Sequence, residues 1–170
     1  MCNSEKKCIF AAAMITNDPL HIHLEHIAQS GDALKINLSN DFFKGLDQQE
    51  ILGGEVELTV RVKDNGSHVF LLSLEAQGKV TTQCDRCLDE VELSVNVADE
   101  FRVLKWGEEP SDDDDMACME GRDGIYDISW NAYELIELSL PTVRLHPEGG
   151  CNEEMLGKLK EYTRTSEETE

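Results

Sequence analysis

Cys84, Asp85, Arg86 and Cys87 form a Cys-x-x-Cys pair between two runs of alternating apolar residues. Thiolates at that spacing on a tight turn can each reach one tetrahedral ion at about 2.3 Å, the arrangement of a zinc knuckle. A pair is half of such a site. Further along, His146-Pro147-Glu148-Gly149-Gly150-Cys151 offers an imidazole and a thiol, and its glycines let the backbone fold both toward a common point. Cys84, Cys87, His146 and Cys151 are therefore the candidate metal ligands, with zinc as the ion that suits them. The same spacing is equally compatible with free thiols that merely neighbour one another.

Other chemistry is less well supported. A Cys-x-x-Cys redox centre usually sits at a helix N-terminus, which lowers one thiol pKa, whereas here a strand pattern follows and only Arg86 could stabilise a thiolate. Cys2, Cys8 and Cys118 fall in terminal or loop-like stretches and read as surplus thiols. His21, His23 and His26 include a His-x-His, which can bind metal from one strand face, but the simpler reading gives the packing to Ile22 and Leu24 and leaves the imidazoles half-exposed. His68 reads as surface. There is no Gly-rich phosphate loop, no nucleophile elbow and no His-Glu-x-x-His helix, so no catalytic residue is assigned.

The elements that must position the cysteines are mostly strands. Leu34, Ile36 and Leu38 alternate with polar residues, as do Val56, Leu58, Val60 and Val62, which predicts strands with one buried and one wet face. Asn65-Gly66 predicts a tight hairpin turn, and His68 to Ala76 returns as a more apolar strand. Lys79 to Gln83 continues into Cys84, and Val91, Leu93, Val95 and Val97 alternate again, with Phe101 and Val103 extending the run. From Tyr126 the period changes: Trp130, Tyr133, Leu135, Ile136, Leu138 and Leu140 predict one helix of about three turns, capped by Asp127 or Ser129 and stopped by Pro141. The fold class expected is α+β, a strongly twisted antiparallel sheet or partly open barrel with one C-terminal helix packed on it. Domain boundaries follow: a flexible N-terminal extension over 1–19, a single domain over 20–157 with a mobile acidic loop at 107–124, and a disordered tail over 158–170.

The chain has 170 residues and 19.1 kDa, and 15 Lys+Arg against 35 Asp+Glu give it a formal charge of -20. That balance excludes a generally basic nucleic-acid coat. With 40% hydrophobic but 6% aromatic residues, the core is built from Val, Leu and Ile. No apolar run approaches the ~20 residues that span a bilayer. Cys8 to Ile15 behind Lys6-Lys7 has the look of a truncated signal peptide but is too short for one, and Met14 is a second candidate start. Reduced thiols and a cytoplasmic location are the default reading.

Cys84-Asp85-Arg86-Cys87-Leu88-Asp89-Glu90-Val91, an acidic loop, then Tyr126-Asp127-Ile128 leading to Glu134-Leu135-Ile136-Glu137-Leu138-Ser139-Leu140-Pro141, and finally His146 with Cys151, resemble the bacterial YceD family. The resemblance covers about Gly53 to Cys151, with looser agreement from His26. Both blocks in this order are more specific than either alone. It implies a role in accumulation of the large-subunit (23S) ribosomal RNA and hence in ribosome biogenesis. Members are commonly encoded beside a small zinc-ribbon protein of the large subunit. Some relatives carry further cysteine pairs after the Leu-Pro motif, where this chain has His146 and the single Cys151.

Charge separates two binding modes. Neutralising several phosphates needs clustered Lys and Arg, and here Arg86, Arg102, Lys105 and Arg144 are the candidates for a local patch around the cysteine turn. An acidic body suits a basic partner better, because long-range attraction steers the encounter. The expected partner is a basic large-subunit ribosomal protein or pre-ribosomal particle, with direct RNA contact the lesser reading and no membrane or small-molecule substrate. The alternative is an enzyme acting on RNA or thiols through Cys84 and Cys87.

Overall fold

The computed structural model describes residues 18–66, 68–108, 117–119 and 123–167, with side chains to 162. In chain order the elements are β1 (His21–His23), α1 (Leu24–Ser30), β2 (Leu34–Leu38), α2 (Asn40–Gly45), β3 (Ile51–Asp64), β4 (Val69–Gln83), β5 (Glu90–Leu104), β6 (Ala117–Cys118), β7 (Ile125–Asp127), α3 (Ser129–Ser139) and α4 (Glu153–Glu167). A twisted five-stranded sheet runs β2-β3-β4-β5-β6 and stays open, with two edges rather than barrel closure. It is mostly antiparallel, since the short β3–β4 and β4–β5 connections leave no room for a parallel crossover; β6 alone pairs parallel, at Val103 and Leu104. β1 and β7 form a separate antiparallel pair in which Ile22 faces Tyr126.

The chain divides into two compact units. One gathers residues up to Ile36 with Leu58–Glu75 and Ala98–Ala132, and the other gathers Asn37–Glu57, Ala76–Val97 and Tyr133 onward. The first buries Ile22, Leu24, Leu58, Phe70, Leu72 and Ile128; the second buries Phe43, Ile51, Val80, Val95, Ile136 and the cysteines Cys84, Cys87 and Cys151. Both cores follow from the period-two pattern of the strands, in which every other residue turns inward.

The alternating segments became strands as expected, and α3 begins and ends at the expected residues. Asp127 Oδ1 accepts the N–H of Ser129 at 2.8 Å and its hydroxyl at 2.5 Å, and Leu140 and Pro141 follow the last turn. Three expectations change. First, the described residues hold four helices rather than one. Among them is α4, in a stretch expected to be without structure beyond Lys158. Second, the barrel alternative is not realised, because β6 is too short to bring the sheet round to β2. Third, the β3–β4 connection is wider than a two-residue turn: positive φ falls on Gly66 (73°) and His68 (60°), not on Asn65, and the Asn65 N–H reaches the Val69 carbonyl at 3.1 Å. The aspartate run at 112–115, Cys2, Cys8 and the apolar run 8–15 lie outside the described residues. No helix of the described residues is long and apolar enough to cross a membrane.

Candidate metal centre

The turn between β4 and β5 is wound tightly by its own backbone. The Leu88 N–H donates to the Cys84 carbonyl at 2.9 Å, and the Cys84 N–H donates to the Asp89 carbonyl at 2.8 Å, while Leu88 takes a left-handed φ of 64°. A non-glycine residue there costs of order 1 kcal/mol. In return the turn aims the amides of Arg86 and Cys87 at the Cys84 sulfur.

The second half of the site is carried in by the segment after α3. Asp85 and Arg144 clasp one another: the Asp85 N–H donates to the Arg144 carbonyl at 2.8 Å, and the Arg144 N–H donates to Asp85 Oδ2 at 2.6 Å. His146, two residues on, is thereby set against the turn. Pro147 to Gly150 closes as a reverse turn, with the Gly150 N–H on the Pro147 carbonyl at 2.9 Å and Gly149 at φ 82°, the angle that the third position of a type II turn demands. The turn returns Cys151 to the site. Asn152 then caps α4, its Oδ1 accepting the N–H groups of Glu154 at 3.0 Å and Met155 at 3.4 Å. Met155 and Leu156 on α4, with Leu93 and Leu145, pack against the buried Cys84, Cys87, Val91 and Cys151.

The four candidate ligands meet. Sγ of Cys84, Cys87 and Cys151 and a ring nitrogen of His146 all lie within 4.8 Å of one another. Cys84 Sγ is 4.0 Å from Cys151 Sγ, Cys87 Sγ is 3.3 Å from His146 Nδ1, and Cys151 Sγ is 3.9 Å from that same nitrogen. Bonds of about 2.3 Å to sulfur and about 2.0–2.1 Å to nitrogen in a tetrahedron put sulfur pairs about 3.8 Å apart and sulfur–nitrogen pairs about 3.6 Å apart. The sulfur–nitrogen edges of 3.3 and 3.9 Å bracket the second value and the sulfur–sulfur edge of 4.0 Å lies close to the first, so the set can hold a metal ion. The imidazole is also oriented for it. His146 Nε2 lies 2.9 Å from the Glu90 carbonyl, an oxygen that only accepts, so Nε2 carries the proton and the Nδ1 lone pair faces the sulfurs. Such a bond to the far nitrogen fixes the tautomer in metal-bound histidines.

The electrostatics of Cys84, Cys151 and His146 follow from these contacts. Burial pushes the Cys84 thiol up, but the amides of Cys87, Arg86 and His146, joined by the Cys87 side chain, outweigh it and bring the pKa down to about 6. Burial raises Cys151, and its hydrogen bonds to Cys87 and Cys84 raise it further. The Glu90 carbonyl raises His146, helped by Cys84.

The remaining candidates are placed as follows. Arg86 is exposed beside the cysteine turn. Arg144, with a side chain 15% exposed, pairs with Glu50 at 2.8 Å and Glu137 at 3.8 Å. Arg102, exposed, and Lys105 belong to the other unit, where Lys105 pairs with Asp64 at 2.7 Å and lies 4.7 Å from the centre of the Phe70 ring. His21 sits between Asp18 and Asp127, at 3.9 and 3.8 Å, while Ile22 and Leu24 pack inward. Among the described residues, His21, His23 and His26 join no group of metal-ligand atoms. Sequence reasoning missed the supporting contacts of Glu90, Asp85 and Asn152. The Glu90 contact uses a backbone atom and has no residue signature. Asn152 did carry a signal, as an Asn before Glu153-Glu154 and an apolar pair.

No curated protein and no solved structure shows a match to this chain. Residues 72–170, more than half of the chain, match the family described as large ribosomal RNA subunit accumulation protein YceD. The cysteine turn, α3 and the His146–Cys151 segment all fall inside that span, and the chain belongs to the YceD family.

Proposed function

We propose that this chain is a non-catalytic factor of large-subunit ribosome biogenesis, in which zinc at Cys84, Cys87, His146 and Cys151 braces the fold and the acidic body receives a basic large-subunit ribosomal protein or pre-ribosomal particle. The observation that carries the non-catalytic reading is the closed ligand set. Four protein ligands satisfy a tetrahedral ion and leave no position for water or substrate, whereas catalytic zinc keeps one open. The three thiols are buried. The family supplies the process, accumulation of large-subunit ribosomal RNA. The charge of -20 supports the choice of a basic partner, and the pairing of Lys105 and Arg144 with carboxylates leaves fewer cations for phosphate contact.

One observation favours the second reading, an enzyme acting on RNA or thiols: the Cys84 pKa of about 6 is that of an activated nucleophile. Its sulfur, however, belongs to a residue with no exposed surface, and the amides that lower its pKa equally suit a metal thiolate. Affinity purification from the native cell, with protein and RNA both identified, tests the proposal. A basic large-subunit protein recovered at low salt and lost at high salt is expected. RNA cleaved or modified by the pure protein, and spared by a folded Cys84→Ser variant, would transfer the function to the enzyme reading.

A further inference from the structure

Among the described residues, one side of β5 has no neighbouring strand over most of its length. Asp89 turns its carbonyl to the Cys84 N–H, and Glu90 turns its carbonyl the opposite way, to His146 Nε2. Alternation along the strand then points the N–H and C=O groups of Glu92, Ser94 and Asn96 away from β4. On that side the described residues supply only β6, which meets β5 at Val103 and Leu104. Among the described residues, no backbone hydrogen bond outside the strand ladders ends on Glu92, Ser94 or Asn96.

Strand edges are usually blunted by proline, lysine, a bulge or shortness. Glu90 to Val97 reads Glu-Val-Glu-Leu-Ser-Val-Asn-Val, with neither proline nor lysine, in a strand of 15 residues. It carries instead the exposed carboxylates of Glu90 and of Glu92, the latter paired with Lys79 at 2.6 Å, preceded by exposed Asp89. Glu92 and Ser94 also line a shallow groove of about 540 Å³ on the exposed face with Glu55 and Lys79. A second copy of the chain would set acidic edge against acidic edge, with like charges close across the pair. An extended cationic segment has the complementary charge.

We propose that β5 from Glu92 to Asn96 is a docking edge that takes up an extended Lys- or Arg-rich segment of a partner protein as an added antiparallel strand. The inference rests on the basic-partner reading above and adds the surface and the backbone mode. In antiparallel pairing, the partner residues that exchange hydrogen bonds with Glu92, Ser94 and Asn96 stand directly opposite them, so their side chains share the exposed, acidic face. Those are the cationic positions.

The full chain is titrated with a fluorescent octapeptide of alternating Lys and Val in three forms: unmodified, N-methylated at every Lys amide, and N-methylated at every Val amide. All three carry the same charge, so attraction by charge alone gives three equal affinities. An added strand predicts binding at least tenfold weaker for the Lys-methylated form and unchanged for the Val-methylated form. Ser94→Pro, which removes an outward N–H without touching the β4 ladder, is expected to reproduce the loss. Equal affinities, or loss on Val methylation instead, overturn the docking edge while the affinity purification still judges the basic-partner reading by itself. A concentration-dependent dimer that excludes the peptide also overturns it, by assigning the edge to a second copy.

Discussion

Asp85 and Arg144 stand 59 residues apart in sequence and exchange two hydrogen bonds, of 2.8 and 2.6 Å, across the candidate metal centre. The clasp needs no metal, so it sets His146 near the sulfurs before an ion arrives. Removing the carboxylate in Asp85→Ala leaves the Arg144 N–H without its acceptor. A charged acceptor on a backbone donor at an exposed site contributes about 1 kcal/mol, and that loss is expected in urea unfolding of the metal-free protein. Asp85→Asn keeps an acceptor oxygen and is expected to lose less than half as much.

Metal removal should be felt through the whole second unit, because α4 starts at Asn152, directly after the Cys151 ligand, and packs Met155 and Leu156 on the cluster. Protein purified without chelator is expected to carry one zinc per chain by elemental analysis. Chelation is expected to lower stability by about 3 kcal/mol, near 10 °C in Tm for a chain of this size. Cys151→Ser and His146→Ala should lose the zinc and the chelator response together. Full stability after chelation, or unchanged zinc in both variants, would sink the bracing site.

The metal-free centre should titrate in a defined direction. Cys84 falls from an ordinary value near 9 to about 6 in the folded chain. A lowered folded pKa contributes stability that is present above the unfolded value and lost as pH falls through the folded one. Cys151 is raised and has the opposite sign: its contribution is present below its unfolded pKa and is lost as pH rises through its folded value. The metal-free protein should therefore gain stability between about pH 6 and pH 9 through Cys84, opposed by His146, whose raised pKa gives a contribution that is lost as pH rises through its folded value, and by Cys151 on the alkaline side. Thiolate absorbance is expected to show a step near pH 6 that Cys84→Ser abolishes.

What the sequence disclosed and what it hid divide along physical lines. The long strands were legible because burial alternates along all of β4, from Val56 to Lys63 in β3, where only Thr59 departs from it, and from Glu90 to Val97 in β5, enough for period two to stand out. The four ligands were legible because cysteine and histidine are sparse and chemically distinctive. Helices α1 and α2, at 7 and 6 residues, complete too few turns for a helical period, and β1 and β7 are 3 residues each. Helix α4 was cut by a boundary placed at Lys158: Met155, Leu156, Leu159 and Tyr162 show helical spacing only when taken together, and Glu154 to Lys158 adds an i,i+4 pair at 2.9 Å. The Asp85–Arg144 clasp depends on a backbone carbonyl and amide brought in from after α3, which no residue type announces.

Glycines on β3 and β4 mark where the two strands approach most closely, and they supply a prediction independent of metal. A Cβ on Gly54 would lie 2.6 Å from the Lys79 carbonyl oxygen and 2.9 Å from Val80 Cα; a Cβ on Gly78 would press on the Glu55 carbonyl and lie 2.7 Å from Val56 Cα. These neighbours are backbone atoms of a hydrogen-bonded ladder, so they cannot swing aside as a side chain would. Relief requires the strands to part, and Gly54→Ala and Gly78→Ala are each expected to cost at least about 2 kcal/mol in urea unfolding. Gly45, at the end of α2, meets nothing within 4 Å of an added Cβ. Its φ is not positive, so Gly45→Ala should be neutral or stabilising by up to about 1 kcal/mol, because it lowers the entropy of the unfolded chain. The contrast is the test: if all three substitutions cost the same, the close approach of β3 and β4 is not what holds those positions to glycine.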